Sequence, residues 1–165
     1  MKAWCLSKRD FDLYCRRNGW KEAPPEGTAV ISICCNPEVA RKVLHDPDSH
    51  RYPDGLPNVL NVEFDDIVSD KETFKGHPDF DSYDEVTAYG ITPETADRIV
   101  RFVEEHREDD FVIHCRAGKS RSQAVTRYIT EFYPGHDETN PDNPCLFPNT
   151  HTHSALVHAR MRSGL

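Results

Sequence analysis

Residues 113–123, IHCRAGKSRSQ, gather a thiol (Cys115), an imidazole (His114), three cations (Arg116, Lys119, Arg121) and two hydroxyls (Ser120, Ser122) around one glycine, Gly118. The triplet Gly118-Lys119-Ser120 has the ending of a nucleotide-binding loop. That loop, GxxxxGK[ST], needs a glycine where this chain has Ile113, so the nucleotide reading fails. What remains is a different phosphate cradle, with five residues between Cys115 and Arg121. A short loop that leaves a strand and enters a helix turns backbone N–H groups inward, and with the helix dipole they form an anion site. Gly118 lets this loop bend tightly and approach an oxygen, and Arg121 can grip two phosphate oxygens at once, which a lysine cannot do. The same field acts on Cys115. A free thiol near pKa 8.5 is only a few per cent ionised at neutral pH, whereas thiols at helix N-termini or beside cations fall to about 3.5–7.5. A drop of about 3 units favours thiolate by roughly 4 kcal/mol. The loop formed by Arg116, Ala117, Gly118, Lys119, Ser120 and Arg121 is thus expected both to bind phosphate and to arm Cys115. His114 is expected to orient the loop through hydrogen bonds rather than to act as a base.

Such a loop must be delivered by a strand and received by a helix, and the flanking sequence supplies both. DFVIHC (110–115) is a short apolar run that reads as a strand, and SRSQAVTRYITEFY (120–133) follows as a helix that stops before Pro134-Gly135. Upstream, TAVISIC (28–34) and PNVLNVEF (57–64) read as strands. Helices are expected at 36–46, with Asn36 as cap and Pro37 in the first turn, and at 92–109, with Thr92 and Pro93 in the same roles. Further helices are expected at 7–19 and 152–163. The alternation implies an α/β fold with a central, mostly parallel, twisted sheet of about four to five strands flanked by helices. Ligands bind such sheets beyond the carboxyl ends of the strands, where Cys115 would sit. One domain is expected, with a long polar loop or insertion at 67–91 that is either functional or hides a short element. Within it, 80–90 is a candidate aromatic lid. A proline-rich segment at 134–149 is expected to wrap the surface.

The stretch HCRAGKSRS resembles HCxxGxxR[ST], the signature of the cysteine-dependent protein tyrosine phosphatase superfamily, and its position in a chain of this length is similar to the dual-specificity branch. The wider resemblance covers about residues 28–133. It implies hydrolysis of phosphate monoesters in two steps without metal or cofactor. Cys115 attacks phosphorus, an Asp protonates the leaving oxygen, and water then hydrolyses the cysteinyl-phosphate with the same Asp as base. Arg121 and the loop N–H groups would stabilise the transferring oxygens, and Ser122 would assist departure of the sulfur. The resemblance favours Asp66 over Asp65 as the acid, because in similar sequences the acid directly precedes an apolar residue, here Ile67. Asp66 lies farther upstream of Cys115 than is usual in compact members, so Asp70 and the loop residues Asp79, Asp81 and Asp84 stay open as alternatives. The order of signature and acid disfavours the low-molecular-weight phosphatases, even though Asp137 and Asp142 lie downstream. A sulfurtransferase loop would be about one residue shorter.

The chain has 165 residues, a net charge of −8 and 29% charged residues with the signs interleaved. This balance argues against a general nucleic-acid binder. No run approaches the ~18 apolar residues of a membrane span, and the expectation is a cytoplasmic monomer. The six cysteines contain no CxxC pair, so neither a structural zinc site nor a disulfide framework is expected. Cys34 or Cys35 could bridge reversibly to Cys115, although small core residues are the commoner role. His136, His151, His153 and His158 lack ordered spacing and are expected at the surface rather than on a metal. The expected partner is a phosphorylated protein or a small phosphorylated molecule. Arg116 and Lys119 together would suit inositol or lipid phosphates or nucleotides. The reading from another class is a catalytically silent phosphate-binding or interaction module.

Overall fold

The computed structural model describes residues 1–45, 47–74, 85–138 and 147–165. Five parallel strands form the central sheet in the order β3-β2-β6-β1-β7: β1 (Lys2–Ser7), β2 (Thr28–Cys34), β3 (Val59–Glu63), β6 (Asp110–Cys115) and β7 (Asp137–Glu138). The α/β class and the parallel sheet therefore stand as expected. The three strands expected from apolar runs form at 28–34, 59–63 and 110–115. Strand β1 was not anticipated, yet it pairs with β6 near the centre of the sheet, with Ser7 opposite Cys115. Its signal is only a short alternation: Ala3 and Cys5 are fully buried, while Trp4 and Leu6 are partly buried against the other face.

Helices α1 (Lys8–Arg17), α2 (Pro37–Lys42), α3 (Pro93–Glu105), α4 (Arg121–Phe132) and α5 (Thr150–Ser163) complete the layers. Side-chain caps set four of the starts. Ser7, Asn36, Thr92 and Asn149 accept backbone N–H groups at α1, α2, α3 and α5. Helix α2 is shorter than the expected 36–46 and ends at Lys42. The 67–91 stretch does hide structure, an antiparallel pair of β4 (Lys71–Phe74) and β5 (Val86–Tyr89). Residues 75–84 between them, with Asp79, Asp81, Asp84 and the first five residues of the expected aromatic lid, lie outside the described residues, as do Asp142 and Cys145.

Alternation along the strands sorts the core into two layers. Ala29, Ile31, Ile33, Phe111, Ile113 and Cys115 pack with α3, α4 and α5 on one face. Val30, Val112 and Val59 pack with Phe11 and Cys15 of α1 on the other. The carboxyl ends of β1, β2, β3 and β6 lie along one edge of this sheet, and the candidate site is built there.

Candidate active site

Cys115 is the last residue of β6 and is buried on the α4 face. Its Sγ lies 3.1 Å from Ser122 Oγ, in the first turn of α4. On the other side of that hydroxyl stands Cys5 of β1, whose thiol donates to Ser122 Oγ at 3.3 Å and to the Gly118 carbonyl at 3.5 Å. The buried hydroxyl is thus held between two sulfurs, and Cys5 was not anticipated.

The loop between Cys115 and α4 bends at Gly118, which has φ +67°. The position of its missing side chain is taken up by the backbone of β1. A Cβ at this position would lie 2.5 Å from Ser7 N and 2.7 Å from Leu6 C. A second backbone tie runs from the Lys8 N–H to the Arg116 carbonyl at 3.2 Å. The loop is therefore seated on the β1–α1 junction by main-chain contact.

Arg121 begins α4 and is 3% exposed. One Nη donates to the Phe64 carbonyl at 2.7 Å, while its buried Nε has no hydrogen-bond partner among the described residues. Burial works against the guanidinium charge, yet Cys35, Cys115 and Asp66 around it raise its pKa. A cleft of about 620 Å³ opens over this group. Arg116, Ala117, Arg121, Asp66 and Cys35 line it, opposite an apolar wall that includes Val39, Leu44, Ile67 and Phe74. Lys119 is exposed and is not part of this lining.

The two adjacent aspartates have different fates. Asp65 is 3% exposed, and its carboxylate is engaged by Asn36 through both its backbone N–H (3.0 Å) and its side-chain amide (2.6 Å), and by the Tyr89 N–H (2.9 Å). It clasps β3, α2 and β5 together. Asp66 is exposed, and one carboxylate oxygen accepts from Ser120 Oγ at 2.6 Å and from Asn149 Nδ2 at 2.9 Å. Asn149 also donates to the Ile67 carbonyl at 3.0 Å while its Oδ1 caps α5 through Thr152 N–H. Sequence reasoning missed Asn149 because the last helix was expected from 152; the available signal was an Asn followed by Thr directly after a proline. Asp70 pairs with His151 at 3.3 Å, away from this cleft. Asp137 sits on the edge strand β7.

His114 departs from its expected part. It points to the opposite face of β6 from Cys115, stacks on Phe11 with ring centroids 4.2 Å apart, and neither ring nitrogen has a hydrogen-bond partner among the described residues. Burial pushes its pKa down to about 3, so the ring is neutral. The cause is strand geometry: successive side chains face opposite ways, so the residue before Cys115 leaves β6 on the α1 face, where Phe11 lies. Close by, the Asp48 carboxylate accepts the Cys35 N–H at 2.8 Å and pairs with Lys8 at 3.1 Å.

Cys34 and Cys35 are both buried. Cys34 lies 3.4 Å from His50 Nδ1, and Cys35 lines the cleft beside Arg121. Burial pushes their thiols up to about 12 and about 11. Of the tail histidines, His136 departs from the surface expectation. It is 5% exposed, with its ring nitrogens at the Tyr133 and Asp109 carbonyls, 3.2 and 3.0 Å away. His153 pairs with Glu131 at 2.8 Å, and His158 is exposed. Among the described residues, no group of three His, Cys, Asp or Glu side chains is arranged to hold a metal ion, and no helix is long and apolar enough to cross a membrane.

Comparison of the chain with family models, curated proteins and solved structures found no match.

Proposed function

We propose that the protein is a cysteine-dependent phosphoric monoester hydrolase of the dual-specificity type, acting on phosphorylated protein side chains. The observation that carries this reading is the Arg121 guanidinium, buried, fixed by the Phe64 carbonyl and lining the cleft together with Asp66, with Cys115 close enough to act on its charge and a buried Nε that has no partner among the described residues. A buried charged donor without an acceptor is costly unless an anion completes it. The thiol, the guanidinium and the carboxylate come from β6, α4 and the end of β3, so the fold collects them from distant parts of the chain.

In the reaction, the Cys115 thiolate forms a bond to phosphorus as the ester P–O bond breaks, and Asp66 as the acid gives its proton to the leaving oxygen. Arg121 and the backbone of the loop hold the equatorial oxygens. Asp66, now a carboxylate, takes a proton from water as that water attacks phosphorus and the P–S bond breaks. Ser122 Oγ, held by Cys5, donates to the departing sulfur. The products are an alcohol and inorganic phosphate. The apolar wall of Val39, Leu44 and Phe74 suits an aromatic ester better than a polyol phosphate, which favours phosphotyrosine.

The test is hydrolysis of a chromogenic aryl phosphate by wild type and Cys115→Ser, with trapping of the phosphoenzyme by rapid acid quench. The proposal expects turnover and phosphocysteine in wild type and neither in the variant. Tight, stoichiometric phosphate binding by wild type without turnover would instead establish a silent binding module.

A further inference from the structure

A second depression, about 570 Å³, runs along α1 beside the candidate site. Lys8, Arg9, Asp12, Leu13, Arg16 and Arg116 line it, and Arg116 lines the Arg121 cleft as well. The two clefts therefore share one wall. Helix α1 is fixed against the phosphate loop by the Lys8–Arg116 backbone bond and by the seating of Gly118 on Leu6 and Ser7. In a chain of net charge −8 this wall carries Lys8, Arg9, Arg16 and Arg116 against the single acid Asp12. Two of those charges are already matched, Lys8 by Asp48 at 3.1 Å and Asp12 by Arg51 at 3.2 Å. Arg9 and Arg16 are exposed and have no partner among the described residues. Seven residues apart, they share one helix face about 10 Å along its length.

We propose that this face of α1 is a second anion subsite, and that it receives the acidic flank of a peptide whose phosphorylated residue occupies the Arg121 cleft. The inference rests on the phosphatase reading and names its substrate class. Charge complementarity chooses the anion. The apolar wall of the neighbouring cleft chooses a peptide with an aromatic ester over a small polyol phosphate. Length sets the spacing: Arg9 and Arg16 stand about 10 Å apart along α1 and an extended peptide advances about 3.3 Å per residue, so two acidic groups roughly three residues apart within the flank would meet them. Such a flank would act mainly on KM, because it makes the same contacts before and during the chemical step.

The experiment compares phosphotyrosine peptides with neutral flanks and with flanks carrying acidic residues spaced three apart, on wild type and on Arg9→Glu/Arg16→Glu. Both substituted side chains are exposed, so the double variant is expected to fold. The expected result is a kcat/KM about tenfold higher for the acidic peptide, carried by KM, shrinking at high salt and abolished or reversed in the double variant. The simple aryl phosphate should be turned over equally by both proteins. Equal kcat/KM for the two peptides, or a preference that survives the double substitution, overturns the subsite. Stronger competition by an inositol polyphosphate than by the acidic peptide overturns the peptide assignment. Anisotropy with the same labelled peptides on Cys115→Ser carries the same expectation for affinity. A failed phosphatase reading, with no turnover of any substrate, is thereby distinguished from a failed subsite.

Discussion

The loop after β6 and the segment after β3 meet at one sheet edge but differ in how closely they are packed. The 115–121 loop is seated by main-chain contact: Gly118 on Leu6 and Ser7, and the Arg116 carbonyl on the Lys8 N–H. The 64–67 segment has backbone bonds from Phe64 N–H to the Cys34 carbonyl (3.0 Å) and from Asp65 N–H to the Tyr89 carbonyl (2.7 Å), and adds side chains that arrive from far away in sequence, with Asn36 on Asp65 and Asn149 on Asp66 and Ile67. The first arrangement tolerates no added atom. The second can lose one tie and keep its shape, so function and stability are separable there.

The largest effect is expected where no atom can be added. Gly118→Ala combines a positive φ with a Cβ 2.5 Å from the Ser7 nitrogen. Neither backbone can yield without lifting the loop off β1. The expected cost is about 2–4 kcal/mol of stability, together with loss of phosphate binding, measured by chemical denaturation and by calorimetric titration with phosphate. Wild-type stability in this variant would show that the loop is not seated on β1.

The paired aspartates sharpen the contrast next. Asp66→Asn keeps an acceptor for Ser120 and Asn149 but has no proton to give. Its kcat is expected to fall by about 10²–10⁴, with stability within ~0.5 kcal/mol of wild type. Asp65→Asn weakens a buried clasp of three N–H donors, and about 2 kcal/mol of stability should go with a smaller change in kcat. The reverse pattern would move the acid to Asp65. Asn149 divides further. Asn149→Asp retains the Oδ1 that caps α5 but loses the donor to Asp66 and Ile67, so kcat should drop about tenfold with α5 still capped. Asn149→Ala should lose both the cap and the tie. Thermal melts and kcat on an aryl phosphate distinguish these outcomes.

This contrast also explains what could be read from the sequence. Strands β2, β3 and β6 carry apolar runs, and helices α2 and α3 carry Asn36-Pro37 and Thr92-Pro93, so the α/β class follows from local signals. The fixed spacing of Cys115, Gly118, Arg121 and Ser122 announces the loop for the same reason. Strand β1 escaped notice because four of its six residues are not fully buried and its alternation is brief. Asn149 and Cys5 escaped because each acts across the fold, on Asp66 and Ser122, with no local pattern linking partner to partner. The choice between Asp65 and Asp66 rests on a one-residue difference in direction at the end of β3, which only the hydrogen bonds to Asn36 and Tyr89 reveal.

The smallest expected effect belongs to His114, which lies beside the loop in sequence but on the other side of the sheet. Its ring is buried against Phe11 with both nitrogens unpaired among the described residues, and burial, then the nearby His50, pushes its pKa from 6.5 down to about 3. The unfolded chain therefore binds a proton at this side chain below pH 6.5, and the folded protein does not until about pH 3. Within that window stability falls as pH drops, by up to about 1.4 kcal/mol per pH unit for this one group. His50, whose pKa burial also lowers, adds to the same slope, and Asp48, held below the usual carboxylate range with Lys8 and the Cys35 N–H as partners, extends it at the acidic end. In His114→Gln the stability curve between pH 6.5 and 4 should be shallower than in wild type, while kcat at neutral pH changes only a few-fold because the side chain does not touch the loop. Parallel acid limbs, or a hundredfold loss of kcat at unchanged stability, would return His114 to the loop and tie the two faces of β6 into one functional unit.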